Sequence, residues 1–134
     1  MATNTQVIDQ ALGAIGVVTA GGTATTADAA TGLIDLNNMM TQWEYSDKNF
    51  NWFVQDTAGD VAPIPDWALE GVIANLAVKM AATFLVPISG ELALKASEGA
   101  NMITRTLINL NLEPSDMSHM PSGRDSGRNI LTDS

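Results

Sequence analysis

The chain has 134 residues, of which 46% are hydrophobic, and its formal charge is −9 at neutral pH. This length suits one domain with a modest core, and the acidic excess disfavours tight DNA binding, because sequence-independent affinity for phosphates needs clustered lysine and arginine. There is no cysteine and only one histidine, which excludes disulfides, thiolate metal sites and clusters of imidazole ligands.

The first part of the chain predicts two antiparallel helices joined at a pair of glycines. Over residues 4–18, apolar side chains recur at three- and four-residue intervals and form one helix face: Val7, Ile8, Ala11, Leu12 and Ile15. Gly21 and Gly22 end this pattern, and Thr25 or Thr26 can cap a second helix. The second helix, over residues 26–45, carries an apolar stripe: Leu33, Leu36, Met40 and Trp43.

The segment over residues 49–65 has a different character. An aromatic run precedes turn residues and two prolines, which is typical of a short hairpin or of an extended loop, and we favour the loop. Trp52 and Phe53 have two interpretations. Either they cover the open end of the helical core, or they contact another subunit, since aromatic side chains are enriched at interface centres.

The next part predicts another pair of helices, over residues 66–86 and 89–112. We expect Asp66 to cap the first, and Pro87 to end it because the residue before a proline avoids helical geometry. Ser89 then begins the last helix. Both helices have a continuous apolar face: Leu69, Val72, Ile73, Leu76, Met80 and Phe84 in the first, and Leu92, Ala96, Ala100, Ile103, Leu107 and Leu110 in the second.

The predicted fold class is therefore all-α, with two helical hairpins (four main helices), a short loop or hairpin insertion and an extended C-terminal tail. Gly99 and Ala100 let the last helix approach a neighbour closely. The third helix is apolar enough to suggest a membrane span, but Glu70 and Lys79 would each cost about 2.5 to 3.5 kcal/mol near the bilayer centre. We expect a core helix and no membrane.

Residues 114–134 form a predicted tail after a helical domain over residues 1–113. The tail offers only four sizeable apolar side chains: Met117, Met120, Ile130 and Leu131. Ordering its backbone would cost roughly 20 to 40 kcal/mol, whereas full burial of these four side chains returns only about 6 to 12 kcal/mol. We expect that it does not fold alone. Extended, it spans up to about 70 Å, and it is either a ligand for a partner or a solubilising terminus.

Signals for catalysis are weak. His119 lies in the predicted tail, where a serine triad would lack a fixed base. Glu44 and Asp47 could place two carboxylates about 5 to 6 Å apart on the second helix, as glycoside cleavage requires, but an exposed acidic face is the better interpretation. We expect no enzyme activity, no metal and no cofactor.

Two groups of residues match a known family in order and spacing, over about residues 5–112. The first group is Ala11-Leu12-Gly13 with Gly16, the small-residue loop, Thr26-Ala27-Asp28-Ala29-Ala30, Leu33, Leu36-Asn37, and Met40 with Trp43. The second is Pro65-Asp66-Trp67-Ala68-Leu69-Glu70, Asn75-Leu76-Ala77, Met80-Ala81, Val86-Pro87, Glu91-Leu92, Ala96 and Ala100. With these residues the chain resembles the head-to-tail adaptors of tailed phages, also called head-completion, tail accessory or packaged-DNA stabilisation proteins.

The resemblance implies a structural virion protein at the head-tail junction, made in the host cytoplasm. Such a protein assembles as a homo-oligomeric ring beneath the portal protein, expected to be a dodecamer, and the genome passes through its channel without specific binding. The ring also offers a surface to tail nozzle or fibre-attachment proteins. The C-terminal extension would insert into the portal, which assigns portal binding to tail residues: Met117, His119, Met120, Arg124, Arg128, Ile130 and Leu131.

Other functions stay open on the residues alone. The acidity either keeps the protein soluble or forms a negative channel wall that lets DNA pass without sticking. An acidic regulatory or DNA-mimic module would instead need carboxylates spaced like phosphates, and no ring. A small cell-wall hydrolase would use Glu44.

Overall fold

A computed structural model describes residues 2–19 and 21–112 of the chain. It contains four helices: α1 (Asn4–Ala14), α2 (Thr26–Glu44), α3 (Asp66–Thr83) and α4 (Gly90–Leu112). Within these residues there is no strand, and the one isolated β-bridge pairs Thr3 with Val61. The all-α prediction with four main helices is therefore confirmed, and residues 49–65 form a loop rather than a hairpin.

Three of the four helices begin with a side-chain cap. Thr3 and Gln6 form a capping box at α1, Thr25 accepts from the Asp28 N–H at α2, and the Ser89 hydroxyl accepts from the Leu92 N–H at 3.1 Å. The prediction for Asp66 is wrong: Pro65 occupies the cap position of α3, and no side chain caps this helix. Proline can begin a helix in this way because the first amides lack partners within the helix.

The predicted ends of α1 and α3 are each too late. Gly16, at φ +80°, turns the chain after α1, and the Val17 N–H bonds back to the Leu12 carbonyl at 3.0 Å. At the end of α3 the same turn is made by Leu85, at φ +57°, with the Val86 N–H on the Ala81 carbonyl at 2.8 Å. Each helix stops because a residue in the left-handed region redirects the backbone.

The core lies where α1 packs against both α2 and α3. Gly32 allows the approach of α1 and α2, since a Cβ there would lie 2.5 Å from the Ile8 Cγ2 atom. The prediction of two hairpins did not include the contacts that α3 makes with α1 and with α2, and α2 is therefore buried against both α1 and α3. The buried face of α2 holds Gly32, Asp35, Leu36, Met39 and Met40, while Leu33 and Trp43 are only half-buried.

The two later helices cross at a pair of glycines. A Cβ on Gly99 would lie 2.7 Å from the Gly71 Cα atom, so two backbones meet with no side chain between them. The Asn75 side-chain amide fastens this crossing by donating to the Ala96 carbonyl at 2.9 Å. The predicted close approach at Gly99 is confirmed.

The contacts divide the chain into a unit over residues 1–104, which holds the core, and a second unit that begins at Arg105. In the second unit the described residues are the last turns of α4. Among the described helices, none combines the length and the apolar character needed to cross a membrane.

Candidate functional site

Side chains hold the loop between α2 and α3 in place by forming hydrogen bonds with its backbone. The Asn37 amide donates to the Gln55 carbonyl at 2.9 Å, and its oxygen accepts from the Gln55 N–H at 2.8 Å. Gln55 is buried, so its backbone N–H and carbonyl cannot form hydrogen bonds with water instead. Asn37 therefore makes the hydrogen bonds to the Gln55 backbone that a neighbouring strand would make in a hairpin.

A second asparagine fixes the other part of the loop. Asn4 is fully buried at the start of α1, and its amide donates to the Gln55 side chain at 3.0 Å and to the Thr57 carbonyl at 3.1 Å. The first amides of α1, from Asn4 and Thr5, donate to the carbonyls of Asp60 and Ala58. The loop is thus bound to two helices along its length.

These anchors present an aromatic surface, which we define as Tyr45, Trp52, Phe53 and Val54. Tyr45 is 91% exposed, and Phe53 and Val54 are each more than 60% exposed. With Thr41, Glu44 and Asn49 they line an open depression of about 410 Å³. Exposed apolar side chains grouped on a fixed loop are typical of a protein contact site.

The two predicted interface residues have different surroundings. Trp52 is half-buried, and its indole N–H is enclosed without an acceptor among the described residues. Phe53 is 64% exposed. Both residues line the same depression, with Trp52 half-buried and Phe53 exposed.

Neighbouring contacts stabilise the end of α2 beneath this surface. The Phe50 N–H donates to the Glu44 carboxylate at 2.7 Å, and the Phe50 ring lies 5.9 Å from that of Trp67 at the start of α3. The Lys48 ammonium lies 5.6 Å from the centre of the Trp43 ring, within the range of a cation–π contact.

Glu44 and Asp47, the two carboxylates considered for glycoside cleavage, are engaged in structural contacts. Glu44 accepts from the backbone of Phe50. A hydrogen bond from Lys48, at 3.0 Å, lowers the pKa of Asp47, and Thr104 adds a smaller effect in the same direction. A general acid needs a raised pKa, so Asp47 is not suited to that role.

The described part of the chain has carboxylates at other positions as well. These carboxylates form no cluster that could hold a metal ion. A depression of about 390 Å³ between α1, α3 and α4 is lined by apolar side chains and by four polar ones: Gln10, Asp66, Glu70 and Lys95. The charged atoms of Glu70 and Lys95 are 3.9 Å apart.

The predicted portal-binding residues cannot be placed in this geometry, because all of them lie outside the described residues: Met117, His119, Met120, Arg124, Arg128, Ile130 and Leu131. The side chains that sequence reasoning missed are Asn4, Asn37 and Gln55. Only Asn37 had a local signal, as a polar residue within the apolar segment of α2. No known protein-family model and no curated protein matches the chain significantly.

Proposed function

We propose that this chain is a structural head-to-tail adaptor of a tailed phage, without enzyme activity. In this proposal, copies of the chain form a ring under the portal, expected to be a dodecamer, at the head-tail junction of the virion. The ring extends the DNA channel and provides the surface on which tail nozzle or fibre-attachment proteins assemble.

The observation that carries the proposal is the aromatic surface on a firmly anchored loop. Its exposed side chains are mostly apolar, and no metal-binding cluster lies among the described residues, which suits a contact between proteins better than a reaction on a small substrate. The resemblance of residues 5–112 to the adaptor family supplies the identity of the partner.

The acidic charge of the chain favours the passage of DNA through such a ring and disfavours DNA binding. Residues 1–104 contain eleven acidic and three basic side chains. A ring of such subunits repels the phosphate backbone, so DNA can move through the channel without being held. The same charge opposes association of free copies, and we therefore expect the isolated chain to be largely monomeric and to assemble on the portal.

The direct test mixes the purified chain with portal rings of the same phage and measures the mass of the complex. We expect a defined complex with about as many copies of the chain as portal subunits, and a monomer in the absence of portal. A chain that never migrates with portal would overturn the proposal. A DNA-mimic module would instead displace DNA from a DNA-binding protein and form no ring.

A pair of variants tests the role of the aromatic surface in this complex. Phe53→Ser removes an exposed side chain from that surface, whereas Ile34→Ser removes one of similar exposure, 61%, from the outer side of α2. We expect Phe53→Ser to reduce the number of copies bound per portal and Ile34→Ser to leave it unchanged. Equal binding by both variants would exclude the aromatic surface from assembly.

A further inference from the structure

A second exposed apolar feature lies at the turn between α3 and α4. Leu85 is 91% exposed there, and Ile88 is 40% exposed. Leu85 also has φ +57°, at the position after a helix where glycine is the usual residue. Its side chain strains the backbone and packs against little of its own fold, so it contributes nothing evident to stability. A strained residue that the fold does not need indicates a function.

The turn and the aromatic surface lie at opposite ends of α3. Trp67, at the start of the helix, packs against Phe50 beside the aromatic surface, and Leu85 follows its last residue. With 18 residues, α3 is about 27 Å long. One feature projects from the surface and the other is a depression of about 410 Å³, which is ample for a leucine side chain.

We propose that Leu85 of one copy inserts into the depression beside Phe53 of the next copy. Such a contact joins two different surfaces of the same chain, so it is head-to-tail and can close into a ring, whereas a twofold dimer would pair a surface with itself. The inference rests on the proposed ring and specifies the lateral contact between its neighbouring subunits.

Charge favours a second copy as the occupant. Residues 80–90, which contain the turn, include no acidic or basic side chain. In a chain of charge −9, this is a segment that can approach another copy without adding like charges to the contact. Among the described residues, Glu44 is the only charged side chain that lines the depression, and its carboxylate already accepts from the Phe50 N–H.

The area of the contact fits weak association. The exposed apolar side chains of the turn and the aromatic surface together offer on the order of 600 Å², about half of what a stable interface buries. A single contact of this size does not hold a dimer at low concentration. Repeated around a ring on a template, it orders neighbouring subunits.

Disulfide trapping tests the contact without background, because the natural chain has no cysteine. A Leu85→Cys chain is mixed with a Phe53→Cys chain under mild oxidation at high concentration, with and without portal. We expect about tenfold more mixed dimer than from Leu94→Cys with Phe53→Cys, because docking raises the effective concentration of the two thiols. Leu94 is a matched control because it is also exposed, at 59%. Equal yields would overturn the proposal.

Leu85→Gly provides a second test, in which loss of folding cannot be the cause of a weaker contact. Glycine relieves the strain at φ +57°, so we expect a melting temperature at or above that of the natural chain. We also expect self-association to weaken about tenfold, as measured by sedimentation at high concentration. A stable variant that associates as tightly as the natural chain would contradict the inference.

The outcomes separate this inference from the proposed function. If rings form on the portal and the cysteine pair is not trapped there, the adaptor proposal stands and the Leu85 contact is wrong. If the pair is trapped in solution and no portal complex forms, the contact stands as self-association and the adaptor proposal fails.

Discussion

Asn37 shows how a single side chain determines the path of a loop. Its amide pairs with both backbone groups of Gln55, which are otherwise shielded from water. Removing the amide leaves a buried donor and a buried acceptor without partners, and the cost is the desolvation of both groups rather than the loss of one net hydrogen bond.

We therefore expect Asn37→Leu to lower the free energy of unfolding by about 2 to 4 kcal/mol. Urea unfolding measures this change. Asn38→Leu is the matched control, because Asn38 is the next residue of α2 and is exposed; we expect it to alter stability by less than about 0.5 kcal/mol. Similar losses in both variants would show that Asn37 does not anchor the loop.

The lowered pKa of Asp47 leads to a prediction about how its contacts depend on pH. The hydrogen bond from Lys48 lowers its pKa in the folded protein, so the contacts of this carboxylate are present above its ordinary pKa and are lost as the pH falls through the lowered value. We expect carboxyl carbon NMR to report a pKa below the usual range for aspartate, and Lys48→Met to raise it. Lys79→Met should leave it unchanged, since Lys79 contributes no shift to Asp47.

The packing of α4 against α3 depends on two glycines, Gly71 and Gly99, which have no side chains. A methyl group on Gly99 would lie 2.7 Å from the Gly71 backbone, which cannot move aside as a flexible side chain can. The helices would separate, and the bond from Asn75 to the Ala96 carbonyl would lengthen.

We expect Gly99→Ala to destabilise the protein by about 1 to 3 kcal/mol. Hydrogen exchange should show faster exchange at the amides of α4, with little change in α1. Gly13→Ala is the control: it also adds a methyl group to a helical glycine, but the nearest atom, Val18 Cγ2, lies at 4.0 Å. That variant should be neutral or more stable by up to about 1 kcal/mol, and an equally stable Gly99→Ala would refute the account.

The elements also show which features could be predicted from the sequence. Periodicity, threonine caps and Pro87 indicated four helices, because each of these signals acts within a few residues. The buried face of α2 was misassigned because α2 packs against both α1 and α3. The anchoring of Gln55 by Asn37 and Asn4 joins residues far apart in the chain, and no local pattern reports such a bond. Trp52 and Phe53 were named from the sequence, and their role at an interface stays a prediction. The exposure of Tyr45 and Leu85 was not predicted, because exposure depends on the whole fold.

For the whole molecule, the position of the core predicts that the tail can be removed. The buried side chains of the described residues extend from Asn4 to Ile103. A chain that ends at Glu113 should therefore keep its helicity and its melting temperature, as measured by circular dichroism, and lose most of its affinity for portal.

A full-length control separates binding from folding in that experiment. Ile130→Asp with Leu131→Asp should weaken portal binding without changing the melting temperature, since each charge opposes apolar burial in a partner. If the shortened chain binds portal as tightly as the full chain, the tail is a solubilising terminus and the helical body forms the interface.

The hydrogen bonds that join the start of α1 to Asp60 and Ala58 have a consequence for the order of folding. With 11 residues, α1 is too short to persist as an isolated helix, and its partners in α3 are translated long after it. Because α1 is synthesised before α3, the part of its apolar face that packs against α3 stays uncovered until α3 has been made. During that interval, α1 is a segment of the nascent chain that a chaperone can protect.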